Sequence, residues 1–362
     1  MSERKISIIT ACYNAAATIE QTICSVLEQT YEQLQYIVID GQSTDGTLDI
    51  IRRYEDRIDL VVSEPDQGIY DAFNKGARLA TGQYIHYLNA DDYLIKPDVI
   101  AQAVQQMEQQ PEADIYYGGI MFKNDRTDYF SVLNRPISYD EFAGGLMLPH
   151  PAMFTRREAM LAEGWFDTSY KIAADFELTA KIFKRAPAKV IHIPVLMTVF
   201  RLGGISSLAS NQAMVDAEVQ RVASLHLERD IQATPAPDNA EYLKIWLEKK
   251  LFEQQSIADS LIDQQVKTAA VWGSGVVSNL LVAELQQQGI HVAVLIDNNV
   301  QKQGFTMNDV AIQGAEWLLT NSAQLDAIVF GFEGRHEQSV RAQLQQLGIG
   351  IPSVSWRELL ER

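Results

Sequence analysis

Cysteine is scarce: the 362-residue chain holds two, Cys12 and Cys24, in no metal-ligand spacing. That excludes a disulfide scaffold and a thiolate zinc site, and it fits a reducing compartment. Long apolar runs are missing as well, and the opening Met-Ser-Glu-Arg-Lys leads straight into a short apolar strand. Neither a signal peptide nor a membrane-spanning helix is read, so the expected location is cytoplasmic, with peripheral attachment at an inner membrane left open. Basic residues are in deficit, 30 Lys and Arg against 47 Asp and Glu, for a net charge of -17. A field of that sign repels nucleic acid, which is met through Lys and Arg clusters, so nucleic acid is excluded as a partner. It also repels a nucleoside diphosphate, so such a ligand needs a bound cation or a local basic group. No period of about 20 to 50 residues recurs, so a solenoid is not indicated.

What is present suffices for a folded enzyme. With 47% hydrophobic and 21% charged residues the composition is that of a globular protein, and the length exceeds what one core usually supports. Two folded units are expected.

The run KISIIT reads as a buried parallel strand, followed by a polar loop and a helical pattern in Ile19, Ile23, Val26 and Leu27. The strand YIVID, the loop GQSTDG, a helix through Ile50 and Tyr54, the strand DLVVSE, a helix over IYDAFNKGARLA and the strand YIHYLNADD continue the alternation. This is an α/β fold with a doubly wound beginning. In such sheets ligands bind at the carboxyl ends of the strands, so the loops ACYN, DGQSTDG, EPDQG and NADD are expected to face one cleft. Beyond residue 110 the strands DIYYGGIMF, TDYFSVL, PAMFTRR and AKVIHIPVLMTVFR and a helix from IAADFELTAKIF complete a first unit over 1–208 and supply the acceptor side. Residues 209–265 read as a mainly helical connector containing the Pro-rich stretch QATPAPDN, and 266–362 as a smaller Rossmann-like α/β domain.

Transfer of a sugar to a hydroxyl requires a grip on base and ribose, neutralisation of a departing diphosphate, and a carboxylate to take the acceptor proton. Asp40 ends a strand at the expected crevice, where a carboxylate can accept from a base imide or ribose hydroxyls, with Thr10 and Tyr13 adding backbone contacts and stacking. The same segment also fits an Asx turn that caps the next helix, and Asp45 reads as such a cap. The segment NADD, Asn89 to Asp92, clusters oxygen ligands after an apolar strand, with Asp91 the first choice for Mg2+ or Mn2+ and Asp92 beside it. A solvated turn is its plain alternative. Asp175 opens a helical pattern and is the candidate general base, although a helix N-terminus also favours a mere cap. His150 before Pro151 is a candidate contact to acceptor or phosphate, Arg201 in FRLGGISS a lid cation for the diphosphate, and His192 a third metal ligand or an outward-facing residue.

Taken together, SIITACYNAAATI, QYIVIDGQSTDGT, SEPDQGIYDAFNKGARLATGQYIHYLNADD and KIAADFEL resemble family 2 glycosyltransferases, most of all the bacterial branch that acts in surface polysaccharide and lipopolysaccharide assembly. The resemblance covers residues 1 to about 208. It implies a GT-A fold, inversion at the anomeric carbon, a UDP-sugar donor, and a saccharide or lipid-linked saccharide acceptor. It further implies that Asp40 and Asp66 belong to the donor site, that Asn89 to Asp91 stand as the Asp-x-Asp metal motif, and that Asp175 is the base. Asn89 departs from that motif by supplying a neutral oxygen donor.

In the C-terminal unit, GSGVVS from Gly273 to Ser278 lies between a strand and a helix, and Asp297 follows where a ribose-binding acid would stand. Gly273, Gly275 and Asp297 therefore form a candidate nucleotide site, against a purely structural or oligomer-forming role. Rival readings of the whole chain are an NAD-dependent oxidoreductase centred on Gly273, a sugar nucleotidyltransferase, and a noncatalytic nucleotide-sugar sensor. The nucleotidyltransferase is disfavoured because TACYN is neither Gly-rich nor basic.

Overall fold

A computed structural model describes residues 4–125, 127–204, 211–227, 239–332 and 336–361, without the side chains of residues 212 and 241. The chain folds into two compact units, residues 1–122 with 132–233 and residues 123–131 with 234–362. The boundary at 233 falls inside the stretch read as a connector, and the helices on its two sides belong to different units. Of that connector, residues 228–238 lie outside the described residues.

The larger sheet has nine strands, eight of them wholly or mainly in the first unit and one mostly in the 123–131 segment. Its strands are β1 (Ile6–Cys12), β2 (Leu34–Asp40), β3 (Leu60–Ser63), β4 (Tyr84–Tyr87), β5 (Tyr93–Leu94), β6 (Ile115–Asn124), β7 (Tyr129–Leu133), β8 (Met153–Arg156) and β9 (Val190–Arg201). They lie in the order β3-β2-β1-β4-β8-β6-β9-β5, with β7 paired to β6. The strands β3, β2, β1 and β4 are mutually parallel, whereas β8 runs antiparallel to β4 and to β6. The carboxyl ends of the parallel strands therefore share one edge, as the alternating sequence requires.

Eight helices accompany this sheet among the described residues: α1 (Ile19–Leu27), α2 (Thr47–Arg52), α3 (Ile69–Leu79), α4 (Val99–Glu108), α5 (Tyr139–Ala143), α6 (Arg157–Glu163), α7 (Ala174–Arg185) and α8 (Gln212–Val222). Side-chain alternation in β1 sends Ile6 and Ile8 into a core shared with Ile23, Val26 and Ile100, and Ile9 into another shared with Phe73, Ala77 and Phe176. Both faces are covered, which is why β1 and β2 read as continuous apolar runs instead of alternating ones. Burying one such isoleucine stabilises the fold by about 1.5 to 3 kcal/mol. The helix α3 packs hard against the sheet because Gly76 has no side chain: a Cβ there would meet Ile9 Cγ2 at 2.5 Å.

The second unit carries β10 (Thr268–Trp272), β11 (His291–Ile296), β12 (Thr306–Met307), β13 (Val310–Gln313), β14 (Ala327–Phe330) and β15 (Ser353–Ser355). Their order is β12-β13-β11-β10-β14-β15, parallel except for the β12–β13 pair. The order reverses at β10, the Rossmann-like arrangement expected. After α9 (Ala240–Glu248) and α10 (Asp259–Asp263), α11 (Val276–Gln287) runs between β10 and β11, and the Trp246 indole N–H of α9 donates to the buried Glu284 of α11 at 2.9 Å. The α/β class, with a GT-A unit followed by a Rossmann-like unit, holds.

Candidate active site

The loops after β1 and β2 are laced together. Asn14 N–H donates to Ser43 Oγ at 2.9 Å, Thr44 N–H donates to Asn14 Oδ1 at 2.9 Å, and Ala16 N–H donates to Asp45 Oδ2 at 3.0 Å. The hydrogen bond from Thr47 Oγ1–H at 2.5 Å, and then that from Ala16 N–H, hold the Asp45 carboxyl below the usual carboxylate range. Asp45 thus ties two loops, beyond the helix-cap role expected of it.

Asp40 is fully buried. Its carboxylate accepts from Ser43 N–H at 3.2 Å and from Ser63 Oγ–H at 2.6 Å. The side chain expected at the donor site turns inward and fixes the β2 and β3 ends, since a carboxylate with no exposed surface must be satisfied internally. The Thr10 side chain is turned inward as well. It lies within β1, fully buried, with Oγ1 accepting from Tyr36 Oη–H at 3.2 Å.

The exposed part of this corner is made by Tyr13 and Asp66. Tyr13 is 64% exposed. A Cβ on Gly41 would lie 2.4 Å from Asp66 Oδ2 and 3.4 Å from Tyr13 Cδ2, so the ring and the carboxylate both close over the Gly41 backbone. Asp66 Oδ1 accepts from Gly68 N–H at 2.9 Å. Gly68 adopts φ +119°, a conformation open to glycine, and so lets the Asp66 loop turn directly into α3. Lys75 of α3 grips the same loop from behind, donating to Pro65 O at 2.7 Å and lying 3.0 Å from Glu64.

After β4, the NADD turn separates into two functions. Asp92 is buried, accepting from Asn89 Nδ2–H at 2.9 Å and from Arg201 N–H at 3.1 Å. Burial, then the charge of Asp91, pushes its carboxyl well above the usual range. The Asp92 oxygens, expected at a metal, are here spent on holding the turn to β9. Asp91 is only partly buried; burial raises its carboxyl also, and Arg201 opposes that rise. Arg201 donates through Nη1 to Asp91 O at 2.6 Å, lies over the Tyr93 ring at 5.0 Å, and reaches Gln21 through Nη2. Gly204 is pressed close as well, since a Cβ there would lie 2.9 Å from Asp91 Oδ2. The rest of the lid stretch, residues 205–208, lies outside the described residues.

Among the described residues no cluster of three or more His, Cys, Asp or Glu has the arrangement of a metal cage. A hard divalent ion does not need one: a single carboxylate plus substrate phosphates and water suffices. The Asp91 carboxylate fits that sparse role, and a nearby cation would offset its burial. His192, by contrast, pairs with Asn134 Oδ1 at 3.0 Å and packs on Tyr117, so the outward-facing reading and the metal-ligand reading both give way to a packed strand residue.

Asp175 sits at the first turn of α7, with 21% of its side chain exposed. Its Oδ1 accepts from Phe176 N–H at 2.9 Å and from Tyr70 Oη–H at 3.0 Å, and its Oδ2 lies 4.0 Å from His150 Nδ1. His150 stacks on Tyr87 at the end of β4, with ring centroids 5.6 Å apart, and Phe73 and Phe166 complete its surroundings at 6.0 Å each. Burial outweighs the charge of Asp175 and lowers the imidazole's proton affinity, which favours its neutral form. Tyr87 and the NADD turn leave the same strand, which brings the Asp175 group and Asp91 to one sheet edge. Tyr70 escapes sequence reasoning because a Tyr on an amphipathic helix reads as core. The available signal is a buried phenol, whose hydroxyl must find a partner.

In the second unit Gly273, Gly275 and Asp297 do converge. Gly273 has φ +105° after β10, Gly275 precedes α11, and Asp297 follows β11. Asp297 is already engaged by Ser274 Oγ–H, by Asn299 N–H at 2.8 Å and by Lys302 Nζ at 3.8 Å. Ser278 donates to Gly331 O at 2.8 Å and lies 3.0 Å from where a Gly273 Cβ would be, so the glycine serves close packing of α11 on the sheet.

Residues 7–177 match the family described as Glycosyl transferase family 2. The chain is 26% identical over 211 residues to a PGL/p-HBAD biosynthesis glycosyltransferase of Mycobacterium bovis, covering 57% of this chain and 81% of the relative. It is 34% identical over 141 residues to TuaG of Bacillus subtilis, named for teichuronic acid biosynthesis, covering 38% of this chain and 56% of that one. In fold it is similar to S. aureus TarS 1-349 in complex with UDP-GlcNAc, at TM-score 0.50 and 18% identity, over 72% of this chain and 77% of that one. No helix among the described residues is long and apolar enough to cross a membrane.

Proposed function

We propose that this chain is an inverting, metal-assisted glycosyltransferase that moves a sugar from a nucleoside diphosphate, with UDP favoured, to a hydroxyl of a saccharide or lipid-linked saccharide in cell-surface glycan assembly. The names of its relatives support the last clause. One observation carries the reading: Asp175 is hydrogen-bonded to Tyr70, and Tyr70 stands on the helix that the donor-side loop of Asp66 leads into. The base, on α7, and the donor-side loop are thus both tied to α3.

In this reading Tyr13 stacks on the base while Asp66 accepts from its imide N–H. Asp91 holds Mg2+ or Mn2+, which supplies charge stabilisation to the departing diphosphate. Arg201 keeps the Asp91 turn in place and adds a fixed positive charge. Asp175 takes the acceptor proton on Oδ2 as the hydroxyl oxygen bonds to the anomeric carbon and the carbon–oxygen bond to the diphosphate breaks with its electron pair. A single in-line displacement inverts the configuration. His150, beside Oδ2, lines the acceptor side.

The test is hydrolysis of a panel of UDP-sugars without acceptor, measured with and without Mn2+. Metal-stimulated release of UDP from one sugar is expected, and no release from any nucleotide sugar overturns the reading. Gly41→Ala bears on the donor corner separately. The added methyl displaces Asp66, and the loss of one charge-assisted hydrogen bond is expected to weaken UDP binding by about 10- to 100-fold, read by calorimetry. Wild-type affinity would remove Asp66 from the site.

A further inference from the structure

We propose that Tyr70 is a positioning residue whose single hydroxyl proton serves two acceptors in turn, the Asp175 carboxylate before proton transfer and the Ile172 carbonyl after it. The proposal rests on Asp175 as the base and adds a residue that sets that base's charge state and aim.

The geometry leads to it by counting donors. Tyr70 Oη is within hydrogen-bond reach of both Asp175 Oδ1, at 3.0 Å, and Ile172 O. A phenol has one proton, so it donates strongly to one of them at a time. The phenol is 6% exposed, so water does not make up the difference. While Asp175 is ionised, the charge-assisted bond to Oδ1 is the stronger and the proton belongs there. Once Asp175 has taken the acceptor's proton, its charge is gone, and the phenol O–H turns to the Ile172 carbonyl. No buried donor is stranded in either state.

The surrounding groups hold this pair in place and do not compete for it. Phe176 N–H also donates to Oδ1, leaving Oδ2 as the oxygen directed to the acceptor side, where His150 Nδ1 stands 4.0 Å away. The loop that carries the Ile172 carbonyl is clamped from α8, whose Glu218 accepts the N–H groups of Lys171, Ile172 and Ala173 at 2.8 to 2.9 Å. On the other side, Asn74, one turn along α3 from Tyr70, exchanges two hydrogen bonds with the Phe166 backbone at 2.9 and 3.1 Å. The titratable groups that meet Asp175 are Tyr70 from α3 and His150 from the turn before β8, while Glu218 of α8 meets the loop ahead of it. Of these Tyr70 alone touches Oδ1.

Removing the phenol oxygen tests it, because Tyr70→Phe keeps the buried ring and hence the packing. Hydrolysis of the UDP-sugar that the panel selects is measured across pH on the full chain with Mn2+, together with UDP binding by calorimetry and the melting temperature. The expected result is a turnover lower by about 10- to 100-fold with UDP affinity unchanged. The acid limb of the rate profile should also move to higher pH by about one unit, since the ionised carboxylate has lost a donor. A wild-type rate and profile would overturn the proposal. So would a lower rate with an unmoved acid limb, or one that follows a fall in melting temperature or UDP affinity. Asp175→Asn in parallel separates the two levels: an inactive Asp175→Asn beside an unaffected Tyr70→Phe leaves the base in place and removes only the positioning role.

Discussion

Exchange of Asp175 for Asn is expected to lower turnover by roughly three orders of magnitude while UDP binding stays as in the wild type. Asn keeps the shape and can still accept from Phe176 N–H and Tyr70 Oη–H, the two donors to Oδ1. What it lacks is the capacity to take a proton, and general-base catalysis contributes on the order of 10²- to 10⁴-fold. The donor contacts proposed at Tyr13, Asp66 and Asp91 are untouched, so the loss falls on kcat and not on UDP affinity. Stopped hydrolysis with intact calorimetric binding is the pattern that checks it, and parallel losses in both would point to a folding defect.

The second large effect is expected at the NADD turn. Asp91→Asn should abolish Mn2+ stimulation and reduce the metal-dependent rate by about 10²- to 10³-fold, in the range of losing one group that stabilises leaving-group charge. EDTA should silence the wild type, and Mn2+ or Mg2+ should restore it. Asp92→Ala is expected to differ in kind. It strands the Asn89 amide and the Arg201 N–H, whose partners are the two Asp92 oxygens. The result is a stability loss of about 1 to 3 kcal/mol, seen as a lower melting temperature. A variant pair with the opposite assignment, metal response lost at Asp92 and stability lost at Asp91, would reverse the roles given to these neighbours.

The contrast between those neighbours marks where the sequence ceases to be informative. Strand ends were legible because β-branched runs such as ISIIT and YIVID stop abruptly at polar loops, and the parallel order follows from their alternation with helices. Asp175 was legible because a carboxylate opening an amphipathic helix is a local pattern. Whether a given side chain faces the crevice or the interior is not local. Asp40, Thr10 and Asp92 each stand next to the strand edge, and each turns inward to a partner more than 20 residues away: Ser63, Tyr36 and Arg201. Tyr70 was hidden for the converse reason, since its aromatic ring satisfies the helix's apolar face and only the fold brings Asp175, 105 residues on, to its hydroxyl. The second unit shows the same limit. Its glycine turn and Asp297 were visible at the expected spacing, but not that Ser274, Asn299 and Lys302 already occupy the carboxylate.

The central claim is that one nucleotide sugar is held at the sheet edge of the first unit, between Asp66 and Asp91, with its anomeric carbon toward Asp175. A crystal structure of the full chain with UDP and Mn2+ tests it directly. Mn2+ bridging the diphosphate to an Asp91 oxygen, with the uracil against Tyr13 and the open side of the β-phosphate toward Asp175 Oδ2, is the predicted result. UDP seated elsewhere, at Gly273 in the second unit for instance, with Asp91 far from the metal, would contradict it.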